Sequence, residues 1–471
     1  MTRFRLLARG ILTATLAAGV AVGCRPTAAD RPAPPAPPAE LLHSAVEQLT
    51  SVIVYDIFSP PQASRAYAYA SVAAYEAMRQ GDSSYRTLAG QLNGLTPVPA
   101  PEPGAVYSLP LAGVHAYLAV GRALTFSQAR MDSLRGAMDE RFRGAGMAPD
   151  VYARSVAYGD RVAKHVLDWA AQDQFKQTRG MPKFSVTNTP GRWVPTPPAY
   201  MDAVEPNWSR LRPFVLDSAS QFRPAPPHPF DTTATSPFMR EAREVYAASQ
   251  TLTPEQREIT AFWDCNPYVM NVTGHAMFAS KKITPGGHWM GIVGIAARRA
   301  NAGPLEAAEA YARASIALAD GFISSWEAKY HTGVVRPETV INTLIDERWE
   351  PLLQTPPFPE YTSGHSVIST AAAAVLTEQF GPNFAFVDST EMAYGLPVRS
   401  FRSFEQAAAE AAISRLYGGI HYRRAIEQGV VQGRKVGELV LARVRTRAEP
   451  TVALAPVRAA GAQGVRVTAR R

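Results

Sequence analysis

Three short segments of the sequence combine basic side chains and histidines with glycine or proline. They are KYHTGVVRP at residues 329–337, PPFPEYTSGH at residues 356–365 and SRLYGGIH at residues 414–421. Together they supply the cations Lys329, Arg336 and Arg415. The planar fork of an arginine binds a tetrahedral oxyanion through two parallel hydrogen bonds, and a lysine adds a point charge. Because buried cations need a compensating anion, the segments predict one oxyanion-binding site.

Four further residues of these segments could complete the site. Ser363 and Gly364 are predicted to begin a helix, so their amides and the Ser363 hydroxyl would lie at its positive end. Gly364 also allows a ligand to approach the backbone closely. His365, on the first helical turn, can transfer protons near neutral pH, and His421 can offer a neutral nitrogen to a metal or phosphorus centre. Phosphate and vanadate have nearly the same shape and charge, so this set of residues suits either.

In order and internal spacing, the three segments resemble the signature motifs of the vanadium-dependent haloperoxidases and the related type-2 phosphatidic acid phosphatases. The first matches Lys-x6-Arg-Pro, the second matches Pro-Ser-Gly-His except at Thr362, and the third matches Ser-Arg-x5-His. Residues 58–70 and 282–289 also look like segments of exported bacterial members. The resemblance covers about residues 40–447.

The resemblance implies a role for each residue of the set. The equatorial oxygens of the oxyanion would be held by Lys329, Arg336, Ser363, Gly364 and Arg415. His365 would be the acid–base group, and His421 would be the axial ligand of a vanadate cofactor. With vanadate acting as a Lewis acid on hydrogen peroxide and Lys329 assisting, the chain would oxidise a halide. Trp326 and Phe358 resemble the aromatic pocket residues of the chloroperoxidase type and favour this branch.

The sequence departs from the family pattern at two positions. Thr362 replaces a rigid proline, which is expected to loosen the loop without removing a ligand. Ala425 stands four residues after His421, where many members carry aspartate. We therefore expect His421 to use another orienting acceptor, with Glu427 and Asp264 as candidates.

Two other functions remain open at this point. The same residues could form an acid phosphatase, acting on a phosphomonoester or a lipid phosphate, with His421 as the phosphorylated nucleophile. The chain has no run of 18 or more apolar residues, which disfavours an integral-membrane lipid phosphatase. A second alternative is a surface lipoprotein that binds anions without turnover, although the complete set of cations disfavours it.

Individual site residues also have structural interpretations. Trp326 and Phe358 could be ordinary core aromatics. His288, which follows Gly286 and Gly287, is expected in a loop, and the alternative is a residue that supports a site residue from behind. His275 and His331 are expected to be surface or hydrogen-bonded histidines rather than ligands, although His331, between Lys329 and Arg336, could touch the entrance of the site.

The elements around these segments are predicted to be helices. Apolar residues fall on one helical face between Val151 and Trp169. Capping boxes are predicted at residues 125–128, 253–256 and 403–406. One helix should run from Pro304 to Lys329, another from near Ser363 to Gly381, and glycines 429, 433 and 437 should let a C-terminal helix pack closely on a neighbour. The predicted fold class is an all-α helical bundle of the vanadium haloperoxidase and acid phosphatase type.

The N-terminus has the features of an export signal. Arg3, Arg5 and Arg9 precede an apolar stretch at residues 10–23 that is too short to span a bilayer. The sequence Ala-Val-Gly-Cys that ends at Cys24 resembles a bacterial lipobox, although Ala21 stands where leucine is usual and ordinary cleavage remains an alternative. A lipidated Cys24 would be the only membrane attachment. By resemblance to bacterial sorting rules, the residue after it favours the outer membrane over the inner one.

The predicted organisation is a signal peptide at 1–23, a Pro/Ala-rich tether at 24–39, one helical catalytic domain at 40–447 and a disordered tail at 448–471. The formal net charge of +8 falls to about +5 once the three arginines of the signal are removed. No block of basic residues with interleaved aromatics occurs, so a nucleic-acid partner is not expected. The expected partners are small molecules, namely hydrogen peroxide and a halide, or a phosphate ester.

Overall fold

The computed structural model describes residues 39–144 and 146–448. The predicted signal peptide, Cys24 and all of the tether except Ala39 lie outside the described residues, as does the predicted tail beyond Ala448. The predicted catalytic domain at 40–447 lies within them, apart from residue 145.

Helices dominate the described part of the chain, as predicted. The fourteen α-helices are α1 Glu40–Tyr55, α2 Pro60–Met78, α3 Leu109–Leu124, α4 Gln128–Gly144, α5 Pro149–Ala170, α6 Phe175–Thr178, α7 Pro237–Gln250, α8 Pro254–Phe262, α9 Pro285–Arg299, α10 Pro304–Thr332, α11 Pro337–Leu344, α12 Gly364–Phe380, α13 Phe404–Tyr417 and α14 Arg423–Arg443. Two antiparallel hairpins add β1 Met270–Thr273 with β2 Ala276–Ala279, and β3 Phe386–Asp388 with β4 Arg399–Phe401. Met270 pairs with Ala279, and Phe386 pairs with Phe401.

The helices form two groups that share one core. Helices α2, α3 and α5 pack together, and α12 packs against α10, α13 and α14. The long helix α10 joins the groups because it also packs against α2. Apolar side chains of both groups belong to one continuous core, and a smaller cluster lies between α7, α11 and α13.

Within residues 39–144 and 146–448, no helix is both long enough and apolar enough to cross a membrane.

The predicted helix starts are confirmed in two cases of three. Thr253 and Gln256 form the full capping box of α8. The Ser403 hydroxyl accepts from the Gln406 amide at the start of α13, while Gln406 itself accepts from the Arg402 amide. The prediction at Thr125 is wrong, because its hydroxyl donates back to the Gly121 carbonyl of α3.

The start of α4 is instead stabilised by a residue that is distant in the sequence. The Asp56 carboxylate accepts from the amides of Phe126 and Ser127. It also accepts from the Ser127 hydroxyl at 2.5 Å. A carboxylate that satisfies several free amides replaces the local cap.

Close packing between α12 and α14 confirms the role predicted for the three glycines. A Cβ at Gly433 would lie 2.2 Å from the Val367 carbonyl oxygen, and one at Gly429 would lie 3.0 Å from that of Ser363. The third, Gly437, faces Ala371 in the same way. The two helices can therefore approach only where glycine removes the side chain, and this contact brings the start of α12 next to the chain that follows His421.

Candidate active site

Five elements deliver the predicted site residues to one region. Lys329 lies in the last turn of α10, and Arg336 immediately precedes α11. His365 lies in the first turn of α12, for which Ser363 is the N-cap, as predicted. Arg415 lies on α13, and His421 lies in the short connection to α14.

Lys329 is buried against the backbone of the loop that leads into α12. Its Nζ donates to the carbonyls of Pro359 at 3.1 Å and Glu360 at 3.0 Å, and also to that of Thr362. Burial, and then the charge of Arg336, lower the pKa of Lys329 well below its usual value. The lysine therefore holds the loop in shape while placing a positive charge beneath it.

Arg336 connects this loop to His421. Its Nε donates to the Phe358 carbonyl at 2.9 Å, and one terminal nitrogen, Nη1, donates to the Ile420 carbonyl at 2.8 Å. The same Nη1 lies 3.2 Å from Nε2 of His421. The other nitrogen, Nη2, is buried without a hydrogen-bond partner among the described residues.

Arg415 and His365 share a backbone acceptor. Arg415 donates to the Trp263 carbonyl at 2.7 Å and to the Ser414 hydroxyl at 2.9 Å. His365 also hydrogen bonds to the Trp263 backbone, and its Nε2 is buried without a partner among the described residues. Burial, followed by the charge of Arg415, lowers the pKa of His365 well below its usual value. His365 is therefore neutral and presents a free ring nitrogen.

Glu360 is the acceptor that orients His421. Its Oε1 lies 2.7 Å from Nδ1 of His421 and accepts from the Tyr422 amide at 3.0 Å. Because the guanidinium of Arg336 can only donate, Nε2 of His421 must be an acceptor and Nδ1 must carry the proton. Burial, and then the charge of Arg336, lower the pKa of His421 well below its usual value, which keeps the ring neutral.

The predicted orienting acceptors of His421 were wrong. Asp264 pairs with Lys282, and the Glu427 side chain makes no contact with His421. Glu360 belongs to the same segment as His365, but its carboxylate hydrogen bonds to His421, which lies 61 positions later in another segment. No periodicity or motif in the sequence links the two positions.

Thr362, where the family pattern has proline, is fully buried rather than loosely held. Its hydroxyl donates to Oε1 of Gln432 at 2.7 Å. The Gln432 amide nitrogen in turn donates to the Ser324 hydroxyl at 2.9 Å and to the Ser324 carbonyl at 3.1 Å. The expected loosening of this loop is therefore not seen, because side-chain hydrogen bonds to α10 and α14 replace the rigidity of a proline ring.

The residues fit an oxyanion on the evidence of their own charges. Lys329, Arg336 and Arg415 are each at most 1% exposed. Burial lowers the pKa of Arg336 to about 10 and raises that of Glu360 to about 8. Each charge is thus disfavoured in its burial site. The unpartnered Nη2 of Arg336 still needs an acceptor, and Nε2 of the neutral His365 still needs a donor. An oxyanion supplies both the negative charge and the acceptor.

The backbone at Gly364 also leaves room for a ligand. A Cβ built there would lie 3.6 Å from the Trp326 ring and 4.0 Å from Cε of Lys329, which are ordinary contacts. The Ser363 amide, by contrast, donates to the Ala425 carbonyl at 3.1 Å and so is already partnered. The Ser363 hydroxyl accepts from the Ser366 amide at 3.4 Å and keeps its own proton for a ligand.

Comparison with known proteins identifies the family. A family model described as the VCPO second helical-bundle domain matches residues 309–450. The crystal structure of the first bacterial vanadium-dependent iodoperoxidase is 51% identical to this chain, with a TM-score of 0.83, and the match covers 88% of this chain and 98% of that one. The chain belongs to the vanadium-dependent haloperoxidases. No curated protein sequence matches it.

More distant haloperoxidases share the fold. Holo and apo crystal structures of a bacterial vanadium-dependent chloroperoxidase are each 18% identical to this chain, with TM-scores of 0.62 and 0.61. The matches cover 83% and 80% of this chain, and 93% and 92% of those chains.

In this haloperoxidase, a cavity bordered by His365, Arg415 and His421 has the predicted aromatic wall. Trp326 and Phe358 both line it, with their ring centroids 4.9 Å apart. Both rings also belong to the continuous core, so they combine core packing with a place in the cavity wall. The Phe358 ring centroid lies 5.1 Å from Nζ of Lys329 and 5.1 Å from Cζ of Arg336. The aromatic wall therefore also stabilises the two buried cations through cation–π contacts.

The haloperoxidase has a second buried polar cluster that the sequence did not predict. His288 lies in the first turn of α9 rather than in a loop, and it is fully buried. Its Nε2 lies 2.8 Å from Asp388, and its Nδ1 lies 3.0 Å from Glu391 and 3.3 Å from Sγ of Cys265. The signal for a helix was present at Thr284, which caps α9 ahead of a proline. His275 and His331 are exposed, as expected.

Proposed function

We propose that this chain is a vanadate-dependent haloperoxidase that oxidises iodide with hydrogen peroxide. The observation that carries the proposal is the buried group of Lys329, Arg336 and Arg415 around the acceptor nitrogen Nε2 of His421. The choice of iodide rests on the 51% identical iodoperoxidase, whose match covers nearly the whole of that enzyme.

Vanadate would be held by the chain's own donors. Nη2 of Arg336, the guanidinium of Arg415 and the Ser363 hydroxyl would bind its oxygens, with the Gly364 backbone beside them. The Lys329 ammonium would add positive charge, since its three protons are donated to the carbonyls of Pro359, Glu360 and Thr362. Nε2 of His421 would coordinate the vanadium. Bound vanadate supplies Lewis-acid activation of hydrogen peroxide, with no change in its own oxidation state.

The protein contributes preorganisation. Glu360 accepts from Nδ1 of His421, which leaves the lone pair of the ring on Nε2. Without a ligand this lone pair accepts from Nη1 of Arg336, and coordination to vanadium would replace that hydrogen bond. Donors that are already oriented and desolvated do not have to reorganise as charge develops on the oxyanion.

His365 is placed to move the proton of the peroxide. Its ring is neutral, because burial and the charge of Arg415 lower its pKa, and its Nε2 has no competing partner among the described residues. A proton accepted there would be stabilised by the negative charge of the oxyanion. The apolar rings of Trp326 and Phe358 keep water from this side of the cavity.

Parallel assays test the proposal. Protein stripped of metal ions by chelation and then loaded with orthovanadate should oxidise iodide with hydrogen peroxide faster than bromide, and bromide faster than chloride. The unloaded protein and His421→Ala with vanadate should show at most background rates. Hydrolysis of a phosphomonoester by the unloaded protein, without vanadate-dependent iodide oxidation, would contradict the proposal and indicate a phosphatase.

We also propose that the chain is exported and attached to the outer membrane by a lipid on Cys24. The support is the sequence alone: a basic start, a short apolar stretch, Ala-Val-Gly-Cys and a Pro/Ala-rich segment. Mass spectrometry of the membrane fraction should find an acylated N-terminal Cys24, and Cys24→Ser should move the protein to the soluble fraction. An unmodified Cys24, or an unchanged membrane association in the variant, would contradict this.

A further inference from the structure

Three side chains of the second polar cluster place potential metal ligands at mutually short distances. Cys265, His288 and Glu391 are all buried and could together hold a metal ion. Nδ1 of His288 lies 3.3 Å from Sγ of Cys265 and 3.0 Å from Oε1 of Glu391. The sulfur and the carboxylate oxygen lie 3.7 Å apart.

This triangle has the dimensions of one face of a tetrahedral zinc site. A point equidistant from three atoms with these separations lies about 2 Å from each, close to the bond lengths of zinc to nitrogen and oxygen and slightly short of that to sulfur. A small shift away from the plane of the three atoms gives the longer zinc–sulfur bond and leaves the fourth position open. Zinc accepts this mixture of sulfur, nitrogen and oxygen ligands, whereas calcium and magnesium prefer oxygen alone.

The histidine is oriented for coordination by a fourth side chain. Nε2 of His288 lies 2.8 Å from the Asp388 carboxylate, and that side chain also accepts from the Thr390 amide at 2.9 Å. With Nε2 donating to the Asp388 carboxylate, Nδ1 faces Cys265 and Glu391, and a zinc ion would replace the proton through which Nδ1 pairs with Glu391 in the metal-free protein. A carboxylate that fixes the tautomer and direction of a ligating histidine is the usual outer partner in zinc sites.

We propose that Cys265, His288 and Glu391 bind one zinc ion, with Asp388 orienting the histidine. A cation here compensates two carboxylates that are at most 5% exposed as side chains, and it converts a weakly hydrogen-bonding thiol into a ligand. Zinc has a route to the site from both sides. Glu391 borders a surface cavity of about 230 Å³, and Cys265 borders the cavity that contains His365.

Such a zinc ion would support the oxyanion site without belonging to it. The Trp263 ring stacks on His288, with centroids 4.5 Å apart and planes within 15°. The Trp263 carbonyl is the acceptor shared by Arg415 and His365. Holding Cys265 and His288 together therefore holds the backbone that positions both residues. The zinc site does not depend on the proposed function, since it uses none of the vanadate-binding residues.

Direct metal binding tests the proposal. Full-length protein stripped with a chelator, without vanadate, is titrated with zinc and separately with cobalt(II), and bound metal is measured by elemental analysis. We expect equimolar binding of either metal. The cobalt form should show the intense visible bands of tetrahedral cobalt and a near-ultraviolet band from its bond to a thiolate.

Variants separate this site from adventitious binding. Cys265→Ser should lose the thiolate band, and Asp388→Asn should weaken zinc binding by about 10- to 100-fold. His115→Gln is the matched control, because His115 is also buried and lies 2.8 Å from the Asp139 carboxylate but has no cysteine beside it; its zinc binding should equal that of the wild type.

Two results would overturn the zinc site. One is a stripped wild-type protein that binds neither zinc nor cobalt at micromolar concentrations. The other is equal zinc binding and an equal cobalt spectrum in wild type and Cys265→Ser. If Cys265→Ser does not fold, the cobalt spectrum of Cys24→Ser decides, because Cys24 and Cys265 are the two cysteines of the chain and a thiolate band of this variant can come only from Cys265.

Discussion

Replacing Glu360 with alanine should weaken vanadate binding indirectly, because Glu360 orients His421 and is not itself one of the residues assigned to bind vanadate. The change removes the acceptor of Nδ1 of His421 at 2.7 Å and of the Tyr422 amide at 3.0 Å. A buried donor left without a partner costs about 1–3 kcal/mol. If most of that cost falls on the ligating orientation of His421, the Kd for vanadate should rise about 5- to 150-fold.

Glu360→Gln should cause a smaller loss, because its amide oxygen can still accept both hydrogen bonds. Glu338→Gln is the control for charge alone. Glu338 is also buried and acts electrostatically on Arg336, but it does not contact His421. We expect this control to bind vanadate within about threefold of the wild type, a change well under 1 kcal/mol.

Isothermal titration with orthovanadate, together with circular dichroism to confirm folding, measures these differences. The order expected for Kd is wild type and Glu338→Gln lowest, Glu360→Gln next and Glu360→Ala highest. A folded Glu360→Ala protein that binds vanadate as tightly as the wild type would refute the orienting role of Glu360.

Three further predictions follow from the charges and packing of the site. Arg336→Ala removes charge-assisted hydrogen bonds worth about 1.5–3 kcal/mol each, so titration should show vanadate bound at least about tenfold more weakly; equal affinity would contradict the assignment. Phe358→His places an imidazole between Lys329 and Arg336, each 5.1 Å from the ring that it replaces. Halide oxidation rates measured against pH should then show a shifted profile with vanadate still bound; an unchanged profile with a lower melting temperature would indicate a purely structural Phe358. Burial raises the pKa of Glu360 from 4.5 to about 8 in the folded protein, so the folded state retains a proton that the unfolded state has lost across that window. Without vanadate, the stability of wild type relative to Glu360→Gln should therefore fall from pH 5 to pH 8, by up to about 1.4 kcal/mol per pH unit, and a pH-independent difference in denaturation midpoints would contradict this.

The sequence was sufficient for the residues whose roles are set locally. Pro304 begins α10, and Ser363 caps α12, because these residue types suit the first positions of a helix. The spacing of seven between Lys329 and Arg336 places one at the end of a helix and the other just before the next. Such features need no knowledge of the rest of the chain. The convergence of the three segments was predicted instead from cations that need one compensating anion and from the family resemblance.

Contacts between distant parts of the chain could not be predicted from the sequence. Glu360 hydrogen bonds to His421, which lies 61 positions later, and Asp56 accepts from the Ser127 amide 71 positions away. Neither pairing follows from propensity or from a repeat. The Trp263 carbonyl that holds Arg415 is a backbone group, so its amino-acid type carries no signal at all. The prediction for His288 was wrong because Gly286 and Gly287 favour a loop, whereas the Thr284 cap and Pro285 begin a helix there.

We infer that His421 binds vanadate in a site that then oxidises iodide. Its most direct test is vanadate titration of wild type and His421→Ala, each followed by an iodide-oxidation assay on the same samples. We predict that the wild type binds vanadate tightly and gains turnover in proportion to the vanadate bound, while folded His421→Ala does neither. Equal vanadate affinity in the two proteins would contradict the role of His421 as a ligand. Turnover by the wild type that does not depend on bound vanadate would contradict the proposed function.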